Sequence, residues 1–149
     1  MSEHRCTVVW KGGDAPFTYD EYSRDHAWRF PGGEEVAASA APSFLGNDAR
    51  VDPEEGLVAS LSSCHMLTFL AIAARKRLVV ASYEDDAVGV MEKNEDGKLA
   101  VTRVTLRPAI EWGGDAPDAA TIDKMHHKAH ENCFIANSVK TEIVVESPA

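Results

Sequence analysis

The amino-acid sequence predicts an α+β domain in which antiparallel sheets surround a long buried central helix and a second helix. Three observations predict it. An apolar run from Pro53 to Arg77 has the length of one major helix. Two strand-like runs, Leu78–Lys93 and Leu99–Trp112, flank Asn94-Glu95-Asp96-Gly97, a hairpin turn sequence. A weaker helical stripe then precedes the β-branched segment "KTEIVVES". The 149 residues contain no internal repeat and no linker, so a single domain over residues 1–149 is expected.

Taken in order, "RCTVVWKG" (Arg5–Gly12) is rich in β-branched residues and ends at Gly12-Gly13, which reads as a strand and a turn. From Phe17 to Phe30 aromatic and polar residues alternate, as in one or two strands with an exposed face, closed by Pro31-Gly32-Gly33. Residues 34–52 have no clean period and are expected to form a long loop with at most a short strand. At the central helix Asp52 is an N-cap residue, Pro53 suits the first helical position, and Glu54 and Glu55 suit the positive end of the dipole. Leu57, Leu61, Cys64, Thr68 and Ala71 form a seam along it. Apolar residues also cover most of the remaining surface, so the helix is expected to be deeply buried. The second helix is expected over 117–133, and a short turn at "FIANS" leads to the last strand.

A net charge of −9 excludes nucleic acid and anionic membrane surfaces as natural partners, because phosphate binding rests on clustered Lys and Arg. The apolar run is interrupted by Ser60, Ser62, Ser63, Cys64, His65 and Thr68, which fits a core helix better than a membrane span. The opening "MSEHRCTVVW" has no apolar leader, and three cysteines is an odd number. Both features point to a reducing cytoplasm.

The thiols are where chemistry can reside. A free cysteine often serves as a small hydrophobe, and Cys6 on the first strand is read that way. Cys64 differs because serines and His65 surround it in the sequence. As a nucleophile it would have to be a thiolate, and burial opposes that. A mid-helix cysteine also lacks the dipole of a helix N-terminus. The stabilising charge must therefore come from a cation, and an arginine held by a carboxylate is the fitting one. His126, His127 and His130 in "HHKAHENC" form an expected exposed polar helix face, with His65 a satisfied buried histidine. A zinc reading would recruit Cys133, but no CxxC or acidic ligand has the companion spacing, so no metal or cofactor is expected.

"DPEEGLVASLSSCHML", with Glu54 ten residues before Cys64, resembles the N-P-E-E-L-…-A-C signature of the OsmC/Ohr family, the osmotically inducible and organic hydroperoxide resistance proteins. "NCFIANSV" resembles the family's second cysteine motif, with Phe134 where many members have proline. The resemblance implies a thiol-dependent peroxidase built as an intertwined homodimer with no cofactor. It implies that Cys64 is the peroxidatic cysteine, Cys133 the resolving cysteine that closes a disulfide with it, and Glu54 the carboxylate that orients an arginine. A dithiol, often a lipoyl group on a protein, would recycle the disulfide. Some members carry the arginine at the position of Phe44 here. "YSRDH" resembles a motif of a related subgroup and favours Arg24 over Arg50. The alternative is a non-catalytic stress-related or small-molecule-binding protein on the same scaffold.

Overall fold

The computed structural model describes residues 1–147. The chain packs as two compact units, Met1–Gly56 and Leu57–Ala149, although no linker composition marks the boundary.

The first unit contains one antiparallel sheet of β1 (Thr7–Val9), β2 (His26–Arg29) and β3 (Glu35–Ala38), with β2 in the middle. Trp28 faces Val8 on one side and Val36 on the other. Much of the alternating stretch before β2 forms turns instead of a strand, with Thr18 O accepting from the amides of Glu21 and Tyr22. After β3 the chain folds back so that Ser39 N donates to Val51 O at 2.9 Å and Val51 N to Ala37 O at 3.2 Å. Ala38 and Ser39 are fully buried by this return. Asp52 then starts helix α1 (Pro53–Arg75) with a reciprocal cap. Glu55 N donates to Asp52 Oδ1 at 2.8 Å, and Asp52 N donates to Glu55 Oε1 at 3.0 Å. The expected N-cap is observed, and Glu55 completes it. Trp28 lies over the first turn at Gly56, where an added Cβ would come 2.7 Å from the indole ring.

The second unit holds the rest of α1 and five strands: β4 (Val80–Asp85), β5 (Val88–Lys93), β6 (Leu99–Leu106), β7 (Pro108–Trp112) and β8 (Glu142–Val145). Each long strand-like run of the sequence breaks in two, at Asp86-Ala87 and at Arg107, and the pieces enter different sheets. β4 pairs antiparallel with β7, and β5, β6 and β8 form the other sheet. The β5–β6 hairpin turns at Asn94–Gly97 as expected; Asn94 Oδ1 accepts from the amides of Asp96 and Lys98, and Gly97 takes a φ of 73°. The β6–β8 pair is parallel, unlike the antiparallel pairing that the sequence favoured. A parallel pair needs a crossover, and helix α2 (Ala119–Asn132) lies within it. Asp118 caps α2 by accepting from Thr121 N at 2.8 Å.

α1 is less buried than its composition predicts. Leu61, His65, Phe69 and Ala73, spaced four apart, are its buried residues, while Leu67 is 61% exposed. An all-apolar helix gives no direction to its own packing, so the neighbouring strands and α2 choose the face. Phe69 and Ala73 pack with Met125 and Ala129 of α2, and Leu61 packs with Val104 and Leu106 of β6. The helix ends at Arg75, and just beyond it Arg77 takes a left-handed φ of 60°, with Leu78 N donating to Ala73 O at 2.9 Å.

Gly46 is the tightest glycine, since a Cβ there would lie 1.6 Å from the Ala40 carbonyl oxygen. Gly46→Ala is expected to destabilise the fold by about 3 kcal/mol or more in urea denaturation, because rigid backbone blocks the new atom. Gly13→Ala, with nothing within 4 Å, is expected to change stability by under about 0.5 kcal/mol.

Candidate functional site

Both motif cysteines lie in the second unit. Cys64 sits mid-way along α1 and is half-buried, with its carbonyl accepting from Thr68 Oγ1 at 2.9 Å. Cys133 follows α2 directly and is 1% exposed. A tight turn through Ala136–Ser138 folds over it, so that Asn137 N donates to Cys133 O and Ala136 N donates to Cys133 Sγ at 3.4 Å. Burial pushes the Cys133 thiol above its ordinary range; the Ala136 amide pulls the other way, and the neighbouring Cys64 thiol adds to the rise. Residues far apart in sequence thus bring two free thiols together. The third, Cys6, is exposed and lies just before β1, so it is not the packed residue the sequence led one to expect.

Behind the thiols lies a polar network inside an apolar core. His65 Nε2 and His126 Nδ1 are 3.0 Å apart, and both rings are buried, at 1% and 4% exposure. The outer nitrogens, His65 Nδ1 and His126 Nε2, are buried and have no hydrogen-bond partner among the described residues. His126 therefore does not belong to an exposed face as expected; of the three helix histidines only His127 is exposed. Burial holds His65 down to about 4, helped by His126 and His130, and burial also lowers His126 against the pull of Asp123 and Asp85. Asp85 links α1 to β7 and its approach, accepting from Ser62 Oγ at 2.5 Å and from Arg107 N at 2.6 Å. Among the described residues no group of three or more His, Cys, Asp or Glu side chains is arranged to hold a metal ion.

The expected charged residues lie in the first unit. Arg24 donates through Nη1 to Tyr22 O at 2.6 Å and through Nη2 to Tyr19 O at 2.5 Å, and its guanidinium lies 3.6 Å from the centre of the Tyr22 ring. No carboxylate pairs with it among the described residues, and Glu54, half-buried on the first turn of α1, makes no ion pair among them. Arg50 is the neutralised one, 3.4 Å from Asp25 and donating to His26 O at 3.2 Å. His26 Nδ1 bonds Arg24 O while its Nε2 accepts from Trp28 Nε1, which fixes the ring as the Nδ1–H tautomer. Arg24, Trp10, Phe17 and Tyr22 line an open cavity of about 360 Å³. The sequence did not reveal the Asp25–Arg50 pair or the His65–His126 contact. The four-residue spacing of Leu61, His65, Phe69 and Ala73 was the available signal for the latter.

A family model described as "OsmC-like protein" matches residues 46–147. A solved OsmC-like protein of unknown function from Vibrio cholerae is 53% identical, with 99% of this chain and 100% of that chain covered and a TM-score of 0.95. An organic hydroperoxide resistance protein from Elizabethkingia anophelis shares the fold at 17% identity and a TM-score of 0.72, covering 99% of this chain and 94% of that one. The organic hydroperoxide resistance protein OhrB of Bacillus subtilis does so at 16% identity and 0.67, covering 97% and 98%. No curated protein matches the chain significantly.

The buried histidine makes stability depend on pH. An unfolded chain binds a proton at His65 near 6.5, whereas the folded one resists until about 4. The unfolded state therefore gains protons first as pH falls, and stability declines between these two values. Urea denaturation is expected to show His65→Gln losing about 3 kcal/mol less than the unmodified protein between pH 7.5 and 4. Parallel pH profiles for the two proteins would contradict a neutral buried His65.

Proposed function

This chain belongs to the OsmC-like protein family, and from that membership we propose that it is a cytoplasmic thiol peroxidase that reduces organic hydroperoxides to alcohols. The observation that carries the reading is the proximity of two free thiols, one half-buried and one fully buried.

In this reading the Cys64 thiolate attacks the outer oxygen of R–O–OH, the O–O bond breaks, and the alkoxide takes a proton to leave as alcohol. Cys64 becomes a sulfenic acid. The Cys133 sulfur then displaces that oxygen as water, with its own proton, and an S–S bond forms. A dithiol, such as a lipoyl group, returns both thiols and carries away the two oxidising equivalents. The half-exposed position of Cys64 supports its role as the attacking residue, and the burial of Cys133 supports a role confined to its neighbour.

Arg24 supplies the positive charge in this reading. Its two carbonyl bonds and the Tyr22 face fix its direction without cancelling its charge, whereas Asp25 neutralises Arg50. The sequence resemblance supports Glu54 as the acid that orients Arg24 once a substrate is bound. A homodimer completes the proposal: the uncovered apolar surface of α1, including Leu67, favours a second copy of the chain.

The test is turnover of cumene hydroperoxide with dihydrolipoamide. Cys64→Ser is expected to abolish it, and Cys133→Ser to give one turnover and then hold the sulfenic acid, visible by mass. An absence of turnover with all thiols intact would favour the non-catalytic binding protein. Arg24→Ala is expected to slow the peroxide step about 10²–10³-fold, the usual cost of losing one charge-stabilising donor. Arg50→Ala is expected to leave that step within about threefold, as for a charge that is already neutralised.

A further inference from the structure

The proposed chemistry leaves the histidine pair unused, yet the pair joins the two elements that carry the thiols. His65 follows Cys64 on α1, and His126 lies seven residues, two helical turns, before Cys133 on α2. Their 3.0 Å contact is the one side-chain hydrogen bond between these helices among the described residues. The rest of that interface is apolar, formed by Phe69 and Ala73 against Met125 and Ala129. Apolar contacts are non-directional and tolerate small slides, whereas a buried hydrogen bond fixes a distance. The pair is also well clamped: its rings lie within 10° of parallel, and Phe69 stacks on His126 at 4.4 Å.

The same contact carries a single proton. With one nitrogen donating and the other accepting, a further proton settles on the outer nitrogen of the donor ring and leaves the bond in place; only protonation of both rings puts a donor on each side. Among the described residues no partner waits for it at His65 Nδ1 or His126 Nε2. The groups acting on the pair are Asp85 from β4, Asp123 and His130 from α2, and the neutral Phe69 from α1 itself, with Tyr83 of β4 packed behind Phe69. The two carboxylates favour the proton on His126, and burial outweighs them.

We propose that His65 and His126 are positioning residues for the thiol pair, their hydrogen bond setting the spacing of the Cys64 and Cys133 sulfurs so that the disulfide closes readily. This rests on the reading of Cys64 and Cys133 as a redox pair. It goes beyond that reading by adding two residues that touch neither substrate nor sulfur.

Two measurements test it, one of which needs no peroxide. In the first, the protein is equilibrated with reduced and oxidised glutathione at pH 7.5 and the bridge is quantified by mass; two protein thiols pass two hydrogens to one glutathione disulfide, yielding the bridge and two glutathiones. His126→Leu is expected to lower the bridging constant about tenfold or more, since small misplacements of reacting atoms cost up to ~10²-fold. The double variant His65→Gln/His126→Asn places amide groups where Nε2 and Nδ1 stood, and is expected to stay within about threefold of the unmodified protein.

In the second, closure of the bridge after one equivalent of cumene hydroperoxide is timed at pH 7.5. His65→Leu removes the bond from the other side and is expected to slow closure about tenfold or more, with the double variant within about threefold of the unmodified protein. A folded His126→Leu or His65→Leu that bridges normally overturns the proposal. If neither variant folds, a double variant that bridges about tenfold worse than the unmodified protein overturns it. Bridging with glutathione as expected but never with hydroperoxide supports the positioning role and overturns the peroxidase reading instead.

Discussion

The second unit is organised by the four-residue spacing of Leu61, His65, Phe69 and Ala73 along α1. This is the side of the helix that the chain itself covers. Leu61 meets β6, while the other three meet α2: His65 and Phe69 at the His126 ring, and Phe69 and Ala73 at Met125 and Ala129. Cys64 lies beside this row, not in it, which leaves it half-buried between interior and surface. A cysteine in the row would be as closed to substrate as Cys133 is. The position of one residue relative to a packing stripe thus separates an accessible thiol from an enclosed one.

Charge in the molecule follows a similar division. An acidic chain has carboxylates to spare for its arginines, and Arg29, Arg50 and Arg107 each meet one. Arg24 meets none among the described residues; it is tied down by carbonyl oxygens and an aromatic face, which fix geometry but do not cancel its charge. The difference follows from the turns before β2, where Tyr19 and Tyr22 direct their backbone oxygens at one side chain.

Much of this was legible in the sequence wherever local chemistry decides structure. Asp52-Pro53 starts α1, Asn94–Gly97 turns the hairpin, and Asp118 opens α2, each through bonds to residues within a few positions. The family was legible too, from two cysteine motifs whose spacing no single strand or helix explains. Long-range choices were not legible. A helix apolar on all sides looks the same from every direction, so the seam through Cys64 and the row through His65 could not be told apart. His126 resembled a surface residue because charged and polar neighbours surround it in the sequence, and packing against distant elements, α1 among them, makes it interior. The breaks at Asp86 and Arg107, and the parallel β6–β8 pair, likewise depend on which sheet has room.

That parallel pair has a cost during synthesis. β6 ends at Leu106, and its partner β8 begins at Glu142. At ribosomal speeds the interval lasts about 2–7 s, during which one edge of β6 has no hydrogen-bonding neighbour. Val104 and Leu106, fully covered at the end, are then open to any passing strand. Arg103 and Arg107 bracket these two residues and remain exposed in the finished fold. Their charges discourage an intruding chain during the wait, and Glu146 bonds Arg107 once β8 has arrived.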